Sequence, residues 1–477
     1  MINFLTILPA KGDIMSGKIQ RDFTHGSIGR HLIQFCLPFL LSNFIQACYS
    51  VADMLIVGNF CPTEVLSGVT NGAQITNLVI NMVAGLTVGG TVLVGQYFGA
   101  KKEKDVSETI GTMFSLMTIV GVVISVVMIL LTDWVLHVLN VPVEARAAAK
   151  DYTNICLLGT VFTFGYNAIS AVQRGMGESK RPLYFVAIAA VINVFLDLWL
   201  VAGLKMGASG AAWATITAQA ISMLLAALYL KKKNFIFDFK MQSFRIHMDK
   251  VRLLLKLGIP SSIQSIISSF SFMLMTSIVN SFGVEASAAV GIVGRFNSFA
   301  ILPAVAMSSA VSSMAAQNIG AGFYDRAKKS MTYGIGIALA LGVVVFSIAQ
   351  IFCDQIMMLF MQEHNETVLA YGRQYMRAFS FDYLLVPFAF CFNGLLNGAG
   401  YTTFTLANNV FSAIAFRMPV AYFLSKTSLM LAGVGAAAPA ASVAGGLVSF
   451  VFISSGKWMK NVTGIRREPA QKNEEQE

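Results

Sequence analysis

The chain has 477 residues, of which 56% are hydrophobic and 12% charged, and its formal net charge is +10. A soluble domain carries about 25% charged residues, so this composition excludes a single aqueous core and describes a polytopic membrane protein. The basic residues sit in short loops between apolar runs, which points to a membrane face and argues against a nucleic-acid partner.

The first residues, "MINFLTILPA", are apolar but lack a basic start and a small-residue cleavage site, so no cleavable signal peptide is expected. Residues 1–30 read as a cytoplasmic tail, and Met15 is an alternative start to Met1. Apolar runs then recur near 32–58, 70–96, 110–131, 152–173, 183–204, 208–230, 257–282, 288–316, 331–356, 373–397, 402–425 and 430–456. Membrane barrels alternate polar and apolar residues over about ten positions. These runs are twice as long and do not alternate, so the expected fold is an all-α membrane protein of twelve transmembrane helices. The organisation is an N-lobe over 31–230, a linker over 231–256 with a short surface helix, a C-lobe over 257–457 and a tail over 458–477. With both termini in the cytoplasm, inner loops and tails hold 26 Lys and Arg against six in outer loops, the asymmetry expected of a multi-pass plasma (inner) membrane protein.

The halves repeat. "GQYFGAKKEKD" (95–105) matches "AQNIGAGFYDR" (316–326) at an offset of 221, shared by Gln96 and Gln317, Gly99 and Gly320, Asp133 and Asp354, and Gly177 and Gly398. Pro38 and Pro260 are offset by 222. Two six-helix lobes of like orientation are related by a pseudo-two-fold axis along the membrane normal, with a binding site between them near mid-depth. That is transporter architecture. An embedded enzyme would need convergent nucleophile, base or metal groups, and all five His lie outside the span centres. The six scattered cysteines form no C-x-x-C, so neither a disulfide framework nor a metal site is expected.

A charge at mid-span costs about 2.5–3.5 kcal/mol on insertion scales, and Asp53, Asp197, Arg295, Asp382 and Arg417 all require a reason to be there. Asp53 and Asp197 lie near the outer ends of spans one and five. Asn193 and Asp197 share a helix face at i, i+4. If these spans are neighbours, two carboxylates and an amide form a pocket with no basic residue in its own lobe. The acids cannot both stay ionised there without a counter-cation, so the pocket is a candidate site for H⁺, Na⁺ or a cationic ligand. In the second half, Arg295, Asp382 and Arg417 form either a self-neutralising polar network or one that leaves an Arg free for an anionic group. Pro38 and Pro260 remove a backbone donor within their helices and are either hinges or static kinks.

The twelve spans in two like halves, "LPFLLSNFIQACYSVADMLIVG", "GQYFGAK", "QRGMGESKRP" and "NVFLDLWL" together resemble the multidrug and toxic compound extrusion (MATE) family over nearly the whole chain. The resemblance implies export of small cationic or amphipathic organic compounds in exchange for H⁺ or Na⁺, with Asp53 matching the family's first-helix acid and Asn193 and Asp197 its fifth-helix pair. One branch of the family carries a second-lobe Na⁺ site with a Glu in span seven, and span seven of this chain has no acid, so the first-lobe cluster is the better candidate. The expectation is therefore a secondary efflux antiporter working by rocker-switch alternating access. It needs no cofactor beyond the coupling ion, its surroundings are membrane lipid, and a monomer suffices. The alternative is a flippase for a lipid-linked oligosaccharide, which needs a cationic cavity such as Arg295 and Arg417 could supply.

Overall fold

In lipid, a chain segment satisfies its own N–H and C=O groups only as a helix or within a closed barrel, and here every long apolar run is helical. A computed structural model describes residues 21–232, 235–361, 364–460 and 462–465. Most of both tails, including Met15, lies outside the described residues. The first lobe contains α1 (Ile28–Phe60), α2 (Thr63–Gly99), α3 (Glu103–Val138), α4 (Val143–Leu158 with Thr160–Gly175), α5 (Lys180–Gly203) and α6 (Gly207–Lys232). The second contains α7 (Met248–Asn280), α8 (Val284–Gly320), α9 (Tyr324–Ile351), α10 (Glu366–Phe379 with Asp382–Gly398), α11 (Thr402–Phe411 continuing through Met418–Ser425) and α12 (Met430–Ser454).

Among the described residues, nine of these helices are each long and apolar enough to cross a bilayer, and the bent pairs α4 and α10 raise the number to eleven. The twelfth, α11, falls outside that set; it carries Asn408, Asn409 and Arg417. The bends are 48° in α4 and 43° in α10. Gly159 at the α4 bend packs so closely on α6 that a Cβ there would overlap the Ile216 side chain.

Two π turns interrupt otherwise regular spans. A π turn, Leu198–Gly203, follows Asp197 directly, and another, Ser412–Arg417, ends on Arg417. Helices α1 and α7 run unbroken through Pro38 and Pro260.

The lobes meet through α2, α7 and α8, and they are closed at the face that carries both chain termini. Residues 89–97 of α2 and 310–320 of α8 are buried throughout. Small residues allow this approach: a Cβ on Gly99 would fall on the Gln317 carbonyl, and one on Gly320 would fall on that of Gln96. Between α2 and α7 the backbones touch at Gly85 with Ser262 and at Gly89 with Gly258. Farther from the termini, Phe44 of α1 meets Phe299 of α8 edge to face, at 6.0 Å.

The chain ends cross over. The segment before α1 docks on the second lobe: Phe23 N donates to Gln317 Oε1 (2.9 Å), and Arg326 donates to the carbonyls of Phe23 (2.9 Å), His25 and Gly26 (both 2.8 Å). The segment after α12 docks on the first lobe, with Thr463 Oγ1 donating to Gln96 Oε1 at 2.6 Å.

The repeat is real, but its register shifts. Gly175 lies against the Thr91 carbonyl and Gly95 N, as Gly398 lies against the Ser312 carbonyl and Ala316 N. The pairs are thus Gly175 with Gly398 and Gly177 with Gly400, both of the latter in the left-handed region (φ +78° and +88°). Their offset is 223, and the sequence pairing of Gly177 with Gly398 is corrected by two residues. The shift is already present between α9 and α10, where Asp133 pairs with Lys150 (2.7 Å) and Asp354 with Arg373 (2.5 and 2.7 Å).

The stretch 231–256 contains one 3₁₀ turn, Met241–Phe244, among its described residues, and α7 already begins within it. Phe237, Phe239 and Phe244 of this stretch cluster on Phe114 of α3. Lys250 is buried and joins Asp105, Asp249 (3.2 Å) and the Tyr97 hydroxyl (3.1 Å).

Candidate functional site

The first lobe brings Asp53, Asn193 and Asp197 together. Helices α1 and α5 pack side by side. Asp53 lies seven residues before the end of α1 and Asp197 six before the end of α5. Both are therefore about 9–11 Å below the face opposite the termini. The two carboxyl groups are direct neighbours. Asn193 and Asp197 are 2% and 0% exposed. Asp53 Oδ1, both Asp197 oxygens and both Asn193 amide atoms are buried with no hydrogen-bond partner from the protein. Among the described residues no Lys, Arg or His lies within 4.0 Å of either acid.

The consequence is chemical. An ionised carboxylate offers only lone pairs, and burying such groups without donors is strongly unfavourable. Two neighbouring carboxyls with no basic partner are stable only with a proton or another cation between them. The π turn after Asp197 leaves that part of the helix wider than an α-helix, a feature often found at functional sites.

Four further residues surround the pair and were not singled out from the sequence. Tyr49, one turn before Asp53 on α1, approaches the Gln219 amide of α6. Tyr152 and Cys156 of α4 contact each other and lie within electrostatic reach of Asp53. Tyr49 and Asp53 repeat the i, i+4 spacing of Asn193 and Asp197, and that signal is present in the sequence. Tyr152, Cys156 and Gln219 come from other helices and leave no local signal.

The second lobe has no equivalent acid pair. At an offset of 222, Asp53 corresponds to buried Met275. Asp382 and Arg417 line one cavity of about 190 Å³ between α7, α10, α11 and α12. Asp382 accepts the Ser442 hydroxyl at 2.5 Å, and Arg417 lies 4.8 Å over the Phe272 ring. The two are not in ion-pair contact: among the described residues no Arg417–Asp382 pair falls within 4.0 Å. Arg295 is exposed on α8 and does not line this cavity. The three-residue network read from the sequence is thus corrected to a loose two-residue arrangement. Arg295 lies at a comparable depth but projects from a different side of its helix.

Twelve helices in two like lobes, with a buried carboxyl pair in the first and a polar cavity in the second, have the layout of a membrane transporter. The sequence pattern of the MatE family matches residues 38–199 and again 260–423, once in each lobe. The chain belongs to this family, the multidrug and toxic compound extrusion transporters. It is 31% identical to the probable multidrug resistance protein YoeA of Bacillus subtilis (strain 168), over 87% of this chain and 91% of that one. It is 29% identical to the probable multidrug resistance protein YpnP of the same organism, over 92% and 97%. Among solved structures, a multidrug resistance MATE transporter of the MOP superfamily in an outward-facing conformation superposes with a TM-score of 0.86 at 22% identity, over 91% of this chain and 97% of that one.

Proposed function

We propose that the protein is a secondary antiporter of the plasma (inner) membrane that exports small cationic or amphipathic organic compounds in exchange for protons. The observation that supports this is the neighbouring Asp53–Asp197 pair without a basic partner. The proton is favoured over Na⁺ because two carboxyls suffice to hold it, whereas hard metal cations take about six or more oxygen ligands. Asn193 adds an unpartnered buried amide, with one donor and one acceptor side, one turn before Asp197.

With both termini cytoplasmic, the lobes are closed on the inside and the protein is in its outward-facing state. The acid pair then lies about 9–11 Å from the outside, where it loads a proton while substrate leaves. Rocking of the lobes, with Pro38 and Pro260 as hinges in α1 and α7, would open the inner face, release the proton and admit substrate. One proton crossing 100 mV releases about 2.3 kcal/mol, enough for a substrate gradient of roughly forty- to fifty-fold. A monomer suffices, since both lobes belong to one chain. A lipid-linked oligosaccharide flippase is not favoured: Arg295 stands apart and Arg417 shares its cavity with Asp382.

The test is dye efflux in proteoliposomes under separately imposed gradients. A pH gradient drives transport in wild type and a Na⁺ gradient does not. Transport driven equally by Na⁺ at fixed pH would refute the proton assignment, and transport unaffected by either gradient would refute antiport.

A further inference from the structure

The second-lobe cavity has polar chemistry that the acid pair of the first lobe does not use. We propose that it recognises the carboxylate of a zwitterionic organic compound, with Arg417 binding the anionic group and Asp382 the cationic one. This deepens the efflux reading by naming a substrate subclass, and it rests on that reading only for its physiological meaning.

Arg417 is the last residue of the π turn Ser412–Arg417. Its guanidinium face is covered by Phe272 at 4.8 Å, and its Nε is buried with no acceptor. A guanidinium stacked on a ring keeps its planar edge for a bidentate carboxylate. Asp382 feels the charge of Arg417 yet lies outside ion-pair distance, held instead by Ser442. A pair serving only to hold helices together would close that gap and satisfy both groups. The same cavity holds the side-chain oxygens of Asn393 and Asn408, both buried without a donor. It therefore offers an unmet donor at one side and unmet acceptors at another, with no net charge.

Three ligand classes can be compared. A bare cation satisfies Asp382 but is repelled by Arg417, and it leaves Nε unpaired. A bare anion satisfies Arg417 but faces Asp382. A molecule carrying both an ammonium-type cation and a carboxylate meets every unsatisfied group.

The experiment uses the full chain in lipid nanodiscs and two dyes that differ at one carboxyl: rhodamine 19, a zwitterion, and its ethyl ester rhodamine 6G, a cation. Binding is read by fluorescence anisotropy without any ion gradient. Wild type is expected to bind the free acid at least about tenfold more tightly than the ester, the scale of one charge-assisted hydrogen-bond pair. Arg417→Gln is expected to erase that preference while leaving ester binding within about twofold. Arg417→Met, which refills the space beside Phe272, runs in parallel should the glutamine variant fail to fold. Equal affinity of wild type for the two dyes overturns the proposal, as does a preference that survives removal of the guanidinium. Because no gradient is present, either failure leaves proton coupling untouched, and loss of proton coupling would leave the dye preference in place.

Discussion

Gln96 and Gln317 make the same two bonds with exchanged partners. The Gln96 amide donates across the lobe interface to the Gly398 carbonyl at 2.8 Å, and that of Gln317 donates the other way to Gly175 at 2.9 Å. Their side-chain oxygens accept from Thr463 and Phe23, one from each end of the chain. Both glutamines are at most 1% exposed, so this symmetric lock fixes how closely the two lobes approach.

That approach leaves no room for a methyl group on Gly99, whose Cβ would fall on backbone rather than on a movable side chain. Gly99→Ala, and by symmetry Gly320→Ala, should force the terminus-bearing face open and reduce efflux at least about tenfold, ~1.4 kcal/mol in the populations of the two states. Distances between spin labels at Lys101 and Phe323 should lengthen. Gly336→Ala, with open space around it, is the control and should behave as wild type.

The acid pair makes an unusual stability prediction. Removing one member of a buried ion pair typically costs about 3–5 kcal/mol. Asp53 and Asp197 have no such partner, so Asp53→Asn and Asp197→Asn should keep or slightly raise the melting temperature while efflux falls at least about tenfold, ~1.4 kcal/mol. A large loss of thermal stability in either variant, by scanning fluorimetry, would reveal a fixed cation instead.

Lys250 is the contrasting case. It is 3% exposed and held by Asp105, Asp249 and Tyr97. Lys250→Met should leave Asp105 without its partner and lower the melting temperature by about 3–5 °C, the scale of ~3 kcal/mol in a chain of this length. Dye binding at the second-lobe cavity should be unchanged, since Lys250 lies at the other end of α7.

At the opposite face, the hydrogen-bonded Arg373 guanidinium holds the Asp354 carboxyl below the usual carboxylate range, against a smaller opposing effect of burial. A depressed folded-state value means stabilisation that is present above the unfolded value near pH 4 and lost as pH falls through the folded one. Asp354→Asn should therefore lower the melting temperature by about 1–2 °C at pH 7, a small effect because the pair is exposed. The difference from wild type should shrink toward pH 3, and efflux should not change.

Much of this was legible in the amino-acid order because the bilayer imposes a strict grammar. Apolar run length marks the helices, and the rare charge marks a site. Asp53, Asn193 and Asp197 could be grouped from depth and spacing alone. Depth without azimuth misled for Arg295, which shares its level with Asp382 but points elsewhere. The π turns beside Asp197 and Arg417 left no sequence sign, since a π turn is made by one extra residue in a turn and not by a residue type. The two-residue register shift between the halves was invisible for a similar reason: glycines recur at 175, 177, 398 and 400, and only contact with α2 and α8 decides which correspond.

The crossed chain ends have a consequence for assembly. Each half carries a clip for the other: residues before α1 grip Gln317 and Arg326, and residues after α12 grip Gln96. Cutting the connection between α6 and α7 would remove a tether but neither clip. Two co-expressed fragments should therefore find each other and reconstitute the whole.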